Sequence, residues 1–79
     1  MNTFNVGDLV RNGFNGNYWP LWGQSLPDLE ELVCLEHDAI ALCVDLRVEE
    51  KRGEIAILLL PNGKGLGKFE VKHGVMSRI

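Results

Sequence analysis

Two cysteines, three prolines and no long apolar run are what this 79-residue chain offers to the commonest structural shortcuts. Cys34 and Cys43 are too few for a disulfide framework, and both stand in apolar runs where a free thiol packs as a small hydrophobe. The apolar run at 55–60 falls far short of the roughly 20 residues a membrane-spanning helix needs. No basic-then-apolar segment opens the chain as a secretion signal does, so the expectation is a cytoplasmic protein with reduced thiols. Disorder is excluded by composition, with 46% hydrophobic and 24% charged residues. What remains is one domain, residues 1–79, small enough to bury only about 60% of its unfolded surface.

Charge is modest in sum and uneven in place. The net charge is −3. Residues 1–50 hold nine acids against two bases, and residues 51–79 hold six bases against two acids. Such asymmetry can mark an interaction surface, although in a small domain the two halves interleave in space.

Hydrophobic periodicity is strongest between residues 38 and 79. Ile40, Leu42, Val44, Leu46 and Val48 alternate with Ala39, Ala41, Cys43, Asp45, Arg47 and Glu49, which predicts a strand with the first set on its buried face. Residues 50–53 supply a turn. Ile55, Ile57 and Leu59 then share one face of a second strand, with Ala56, Leu58 and Leu60 on the other; a strand apolar on both faces belongs in mid-sheet or under a partner. Asn62-Gly63 tolerates the positive φ of a tight hairpin. A third strand returns with Gly67, Phe69 and Val71 on one face against Lys68, Glu70 and Lys72. Gly67 reads as a position where a ring or backbone passes close. Together these predict a three-stranded antiparallel meander, followed by a turn at 72–74 and a short last strand at 75–79.

The N-terminal half is read differently. Residues 4–11 predict a first strand, bent at Gly7-Asp8. Residues 12–23 combine three glycines and three asparagines with Phe14, Tyr18, Trp19 and Trp22, an aromatic loop that either caps the core or faces a partner. Ser25, Pro27 and Asp28 resemble a helix start, and Leu26, Leu29, Leu32 and Val33 would share a helical face, giving a short helix within 26–36. A rival reading of the same residues is a strand at 31–35 turning at 36–38.

The Val6-Gly7-Asp8-Leu9-Val10-Arg11 segment, the apolar strand running into Leu60-Pro61-Asn62-Gly63, the return strand and the short terminal strand together resemble the small SH3-like barrels of tailed bacteriophages. More distantly they are similar to KOW-type modules. The likeness covers about half the chain and departs from it between residues 12 and 38. It implies a mainly β fold, a small SH3-like antiparallel barrel of about five strands with an aromatic-rich N-terminal loop and one short helix. It also implies a binding module rather than an enzyme.

Chemical constellations are thin. Cys34, His37, Cys43 and His73 are zinc-ligand types, but only the first pair has knuckle spacing, so no metal is expected. Residues 63–68 are glycine-rich yet lack the spacing of a phosphate loop and stand between strands. Asp28, Glu30, Glu31, Glu36 and Asp38 are explained by helix-start electrostatics and a turn. No nucleophile, base and orienting group converge, and no cofactor is implied.

Three functional expectations follow. The first is a non-enzymatic protein-binding module, of a phage accessory or host-modulating kind, acting through Phe14, Tyr18, Trp19 and Trp22. The second is a KOW-like nucleic-acid binder using Arg52, Lys64, Lys68 and Lys72 on phosphates. The third is a minor virion or homo-oligomeric component, with Leu58 and Leu60 turned outward as its seam.

Overall fold

A computed structural model describes residues 5–13, 20–71 and 76–79. Seven strands run β1 (Leu9–Asn12), β2 (Leu21–Leu26), β3 (Leu32–Leu35), β4 (Ile40–Glu49), β5 (Gly53–Leu59), β6 (Leu66–Glu70) and β7 (Met76–Arg78). All pairings are antiparallel, and the order across the sheet is β3-β2-β6-β5-β4-β1-β7. The sheet curls into a half-barrel, mainly β and without a helix among the described residues. None of these residues forms a helix long and apolar enough to cross a membrane.

The meander of β4, β5 and β6 is as the periodicity predicts. β5 lies at the centre of the seven, and Ile55, Ala56, Ile57 and Leu58 are buried on both of its faces. Asn62 and Gly63 both take positive φ, 63° and 70°, in the turn that the Lys64 amide closes on the Pro61 carbonyl. Side chains that can sit there without strain are few, and asparagine and glycine are the chief ones. Gly67 sits where a ring passes, under Phe69.

Inside the curl, Val10, Leu35, Ala41, Cys43, Ala56, Leu58, Leu60, Phe69 and Met76 form the core, with Leu21, Val33, Leu46 and Val71 packed at its margin. Leu58 and Leu60 are therefore core residues, 0% and 4% exposed, and not an outward seam.

Four other expectations are corrected. The predicted helix within 26–36 is absent: Leu26 pairs with Leu66 of β6, while Leu32 to Leu35 pair along β2. The rival strand reading of 31–35 is the one that matches, with the turn closed by the Ala39 amide on the Glu36 carbonyl. Asp28 does accept from the Glu30 amide at 2.9 Å, but in a hairpin turn rather than a helix cap. A leucine repeat of eight residues is too short to hold a helix when sheet pairing is available on both sides.

The barrel of about five strands becomes a seven-stranded sheet because residues 21–26 and 32–35 add a hairpin. The first strand starts only at Leu9, since Asn5 to Asp8 form a turn held by the Asp8 amide on the Asn5 carbonyl. Finally, β4 does not keep one face buried throughout. A register shift between Cys43 and Asp45 leaves Ala41 and Cys43 inside, then Leu46, so Ile40 and Leu42 lie on the outer face. An extra residue on one strand reverses parity beyond it.

Candidate functional site

The outer face at the β2 and β6 end of the sheet carries an open groove of about 380 Å³. Alternation along β2 puts Gly23 inside and Trp22 and Gln24 outside, and Trp22 is 61% exposed. Across the sheet, Cys34 lies opposite Trp22 and Leu32 opposite Gln24. Glu70 of β6 lies opposite Ile55 of β5, which supplies an apolar floor with 0% exposure. Arg52, from the turn before β5, joins the rim. The groove therefore pairs one large exposed ring and an exposed leucine with an acid from β6 and a base from the turn before β5.

Lys68 explains why Ile55 and Ile57 are buried on an outer face. It stands on β6 opposite Ile57, yet its Nζ lies 2.7 Å from a carboxylate oxygen of Glu49 on β4. Those two strands are separated by β5, so the lysine stem must pass over it. Lys68 is only 15% exposed. Its hydrogen bond holds the Glu49 carboxyl below the ordinary value of 4.5, and the charges of Lys68, Arg52 and Arg47 push the same way. A carboxyl depressed in the fold stabilises above its ordinary pKa and loses that contribution as pH falls toward its folded value. Glu49→Gln should thus be less stable than the parent at pH 7. The two urea midpoints should converge as pH drops below 4.5.

The predicted aromatic site is only partly within view. Phe14, Tyr18 and Trp19 lie outside the described residues; Trp22 lies on β2 rather than in a loop. The chain enters β2 through Pro20, which also borders the groove.

Of the predicted basic set, Arg52 and Lys68 both border the groove, while Lys64 does not. Arg52 precedes β5 and Lys64 follows it, so the length of that strand separates them. Lys68 is committed to Glu49, and Lys64 lies 4.0 Å from Glu36. Lys72 and His73 lie outside the described residues.

Cys43 is buried at 0% exposure, and burial first of all pushes its thiol pKa up, with the charges of Asp8 and Asp45 adding to it. A thiol so held is a packing group and a weak nucleophile. Among the described residues no group of three or more potential metal ligands is gathered.

Comparison with protein-family models, curated proteins and solved structures finds no match to this chain.

Sequence reasoning missed the members of the groove that come from outside the aromatic segment. Leu32 reads as part of a helical face, Gln24 carries no signal of its own, and Glu70 reads as an ordinary exposed strand residue. A usable signal was present: Gly23 and Gly67, two small residues on one face, demand a ring between them and so set Trp22 outward.

Proposed function

We propose that this protein is a non-enzymatic protein-binding module whose docking site is the groove beside Trp22. The observation that carries the reading is a tryptophan 61% exposed at an open groove with an apolar floor at Ile55 and charged rim groups at Arg52 and Glu70. Aromatic anchors in such settings dominate binding energy at protein interfaces. Arg52 and Glu70 form no ion pair among the described residues, so both are available to a partner. Our reading keeps the likeness to the SH3-like barrels of tailed phages that rests on residues 6–11, 60–63 and the strands after them. On that reading the module works in a host cytoplasm as an accessory or modulating protein.

Trp22→Ala tests this with little confounding, because an exposed side chain leaves no cavity. Its urea midpoint should stay within about 0.5 kcal/mol of the parent, as surface substitutions do. A partner recovered from the native cell with the parent chain should be lost with Trp22→Ala and kept with Leu59→Lys, a change outside the groove. Unfolding of the Trp22 variant, or equal recovery by both chains, would remove the basis for this site.

A further inference from the structure

β3 ends the sheet on one side, and its outer edge is open over residues 32–34. The Ser25 amide donates to the Glu31 carbonyl at 2.8 Å, which makes that opposed pair a bonded one. Bonded and non-bonded pairs alternate along an antiparallel ladder. Val33 and Leu35 therefore turn their backbone groups toward β2, and Leu32 and Cys34 turn theirs away from it. No backbone bond among the described residues takes up those outward amides and carbonyls. Just beyond them the edge is closed, where Asn12 Nδ2 donates to the Leu35 carbonyl. Leu32 and Cys34 stand opposite Gln24 and Trp22 of β2, and Leu32 is 69% exposed. An open edge that also carries an exposed apolar side chain is a template for another strand.

We propose that this edge takes a strand of the partner protein, an extended segment with apolar alternate residues and basic ends that adds to the sheet beside β3. The inference rests on the protein-binding reading of the groove and supplies what holds the partner's backbone. Charge decides the occupant. Asp28, Glu30 and Glu31 ahead of the open stretch and Glu36 and Asp38 behind it are all exposed. Of the five, only Glu36 and Asp38 have ion-pair partners among the described residues, Lys64 at 4.0 Å and, when protonated, His37 at 3.8 Å. A second copy of the chain would pair antiparallel about Val33, setting Glu30 of one copy against Glu36 of the other. Like charges so opposed repel, whereas lysines or arginines at both ends of an added strand meet acids. A side chain of that strand opposite Cys34 lies in one row with Trp22, about 10 Å away across two strand spacings, so a long residue reaches the ring. The open stretch is short, so the pairing is weak and reversible.

Amide hydrogen exchange of the full chain, read by NMR, tests this with a capped peptide Lys-Arg-Val-Thr-Val-Arg-Lys as the probe. In the free protein the Leu32 and Cys34 amides should exchange fast and the Val33 amide slowly. The peptide at about 1 mM, a concentration that fills a weak site, should slow Leu32 and Cys34 by about tenfold and change Val33 little. Methylating both valine amides of the peptide should abolish the slowing, and methylating the threonine amide, which faces away from β3, should not. The counterpart Glu-Glu-Val-Thr-Val-Glu-Glu should have no effect on the parent, but should replace the basic peptide as ligand of a Glu30→Lys, Glu31→Lys double variant. Cys34→Pro removes one outward amide at a position where an edge strand tolerates proline, and should lose the peptide. If that variant fails to fold, the methylated peptides and the charge-reversed chain still decide the matter. No slowing by the basic peptide, equal loss on either methylation, or equal slowing by the acidic peptide would overturn the proposal. Trp22→Ala should leave the slowing unchanged, since valine is too short to reach the ring. The groove and the edge thus stand or fall by separate results.

Discussion

Alanine at position 67 is expected to cost about 2–3 kcal/mol, the upper part of the range for overpacking a tight interior. A Cβ there would stand 2.6 Å from Cε1 of Phe69 and 3.0 Å from Cγ2 of Val33. Gly23, on the neighbouring strand, is in the same position: its Cβ would meet the Lys68 carbonyl oxygen at 2.5 Å and two ring atoms of Phe69 at 2.9 Å. The ring thus lies across two glycines on adjacent strands and is itself 1% exposed. Gly23→Ala should be the worse of the two, because a backbone carbonyl in a ladder cannot swing aside as a ring can. A core this small rarely supplies more than about 3–5 kcal/mol, so either change brings the chain near its unfolding limit at room temperature.

The ring gives this prediction a second arm. If Phe69 is what Gly67→Ala strikes, shrinking the ring to leucine should relieve the clash. The Gly67→Ala, Phe69→Leu double variant should then lose less than the sum of the single losses, by about 1 kcal/mol, as contacting residues do. Gly53→Ala is the control. It has open space at its Cβ and pays only for a φ of +76°, so about 1 kcal/mol is expected. Urea denaturation of the parent and these variants measures all of this. Strict additivity of Gly67→Ala and Phe69→Leu would mean that the ring is not the obstacle.

That glycine is legible in the sequence alone, and the reason is local. Residues 40–71 form a meander whose turns, at 50–53 and 61–64, are written in residues that adopt positive φ, and whose strands are adjacent in sequence. Period-2 alternation and turn chemistry suffice there, because each strand's partner is the next one. The hairpin of β2 and β3 is legible only in part, as the rival strand reading of 31–35, because a distant partner as well as a neighbouring one holds it. β2 pairs with β6, forty residues away, and that partnership outweighs a local pattern of Ser25, Pro27, Asp28 and spaced leucines that looks helical.

The same division runs through the candidate site. Trp22 was visible as an aromatic in a glycine-rich stretch, but the floor and rim of its groove come from β3, β5 and β6. The Lys68–Glu49 pair, nineteen residues apart and spanning an intervening strand, leaves no mark in the sequence. The parity reversal at Val44 left one: the small residues Ala39, Ala41 and Cys43 precede charged Asp45, Arg47 and Glu49 on what a flat strand would make one face. A face that changes from small and apolar to charged is what a bulge produces.

The second large loss is expected at Asn12, a polar side chain at 0% exposure in the core. β1 lies toward one edge of the sheet and β3 at the other, so no strand pairing joins them. Asn12 does. Its side-chain Nδ2 donates to the Leu35 carbonyl at 2.8 Å, its amide donates to the Ala39 carbonyl, and its carbonyl accepts from the Asp38 amide. Asn12→Ala removes only the first of these, leaving a buried carbonyl without that donor and a small void. A loss of about 2–3 kcal/mol follows from an unsatisfied buried acceptor together with lost packing. Asn12→Leu should recover little, since it restores volume but not the donor. Hydrogen exchange separates this from a general loss of packing. The Asp38 and Asn12 amides, whose backbone partners remain, should lose protection before those of β5 do, because the curl opens at this seam first. If Asn12→Ala costs less than about 0.5 kcal/mol, a surface-like effect, then packing and the backbone bonds of Asn12 hold the two edges together without its side chain.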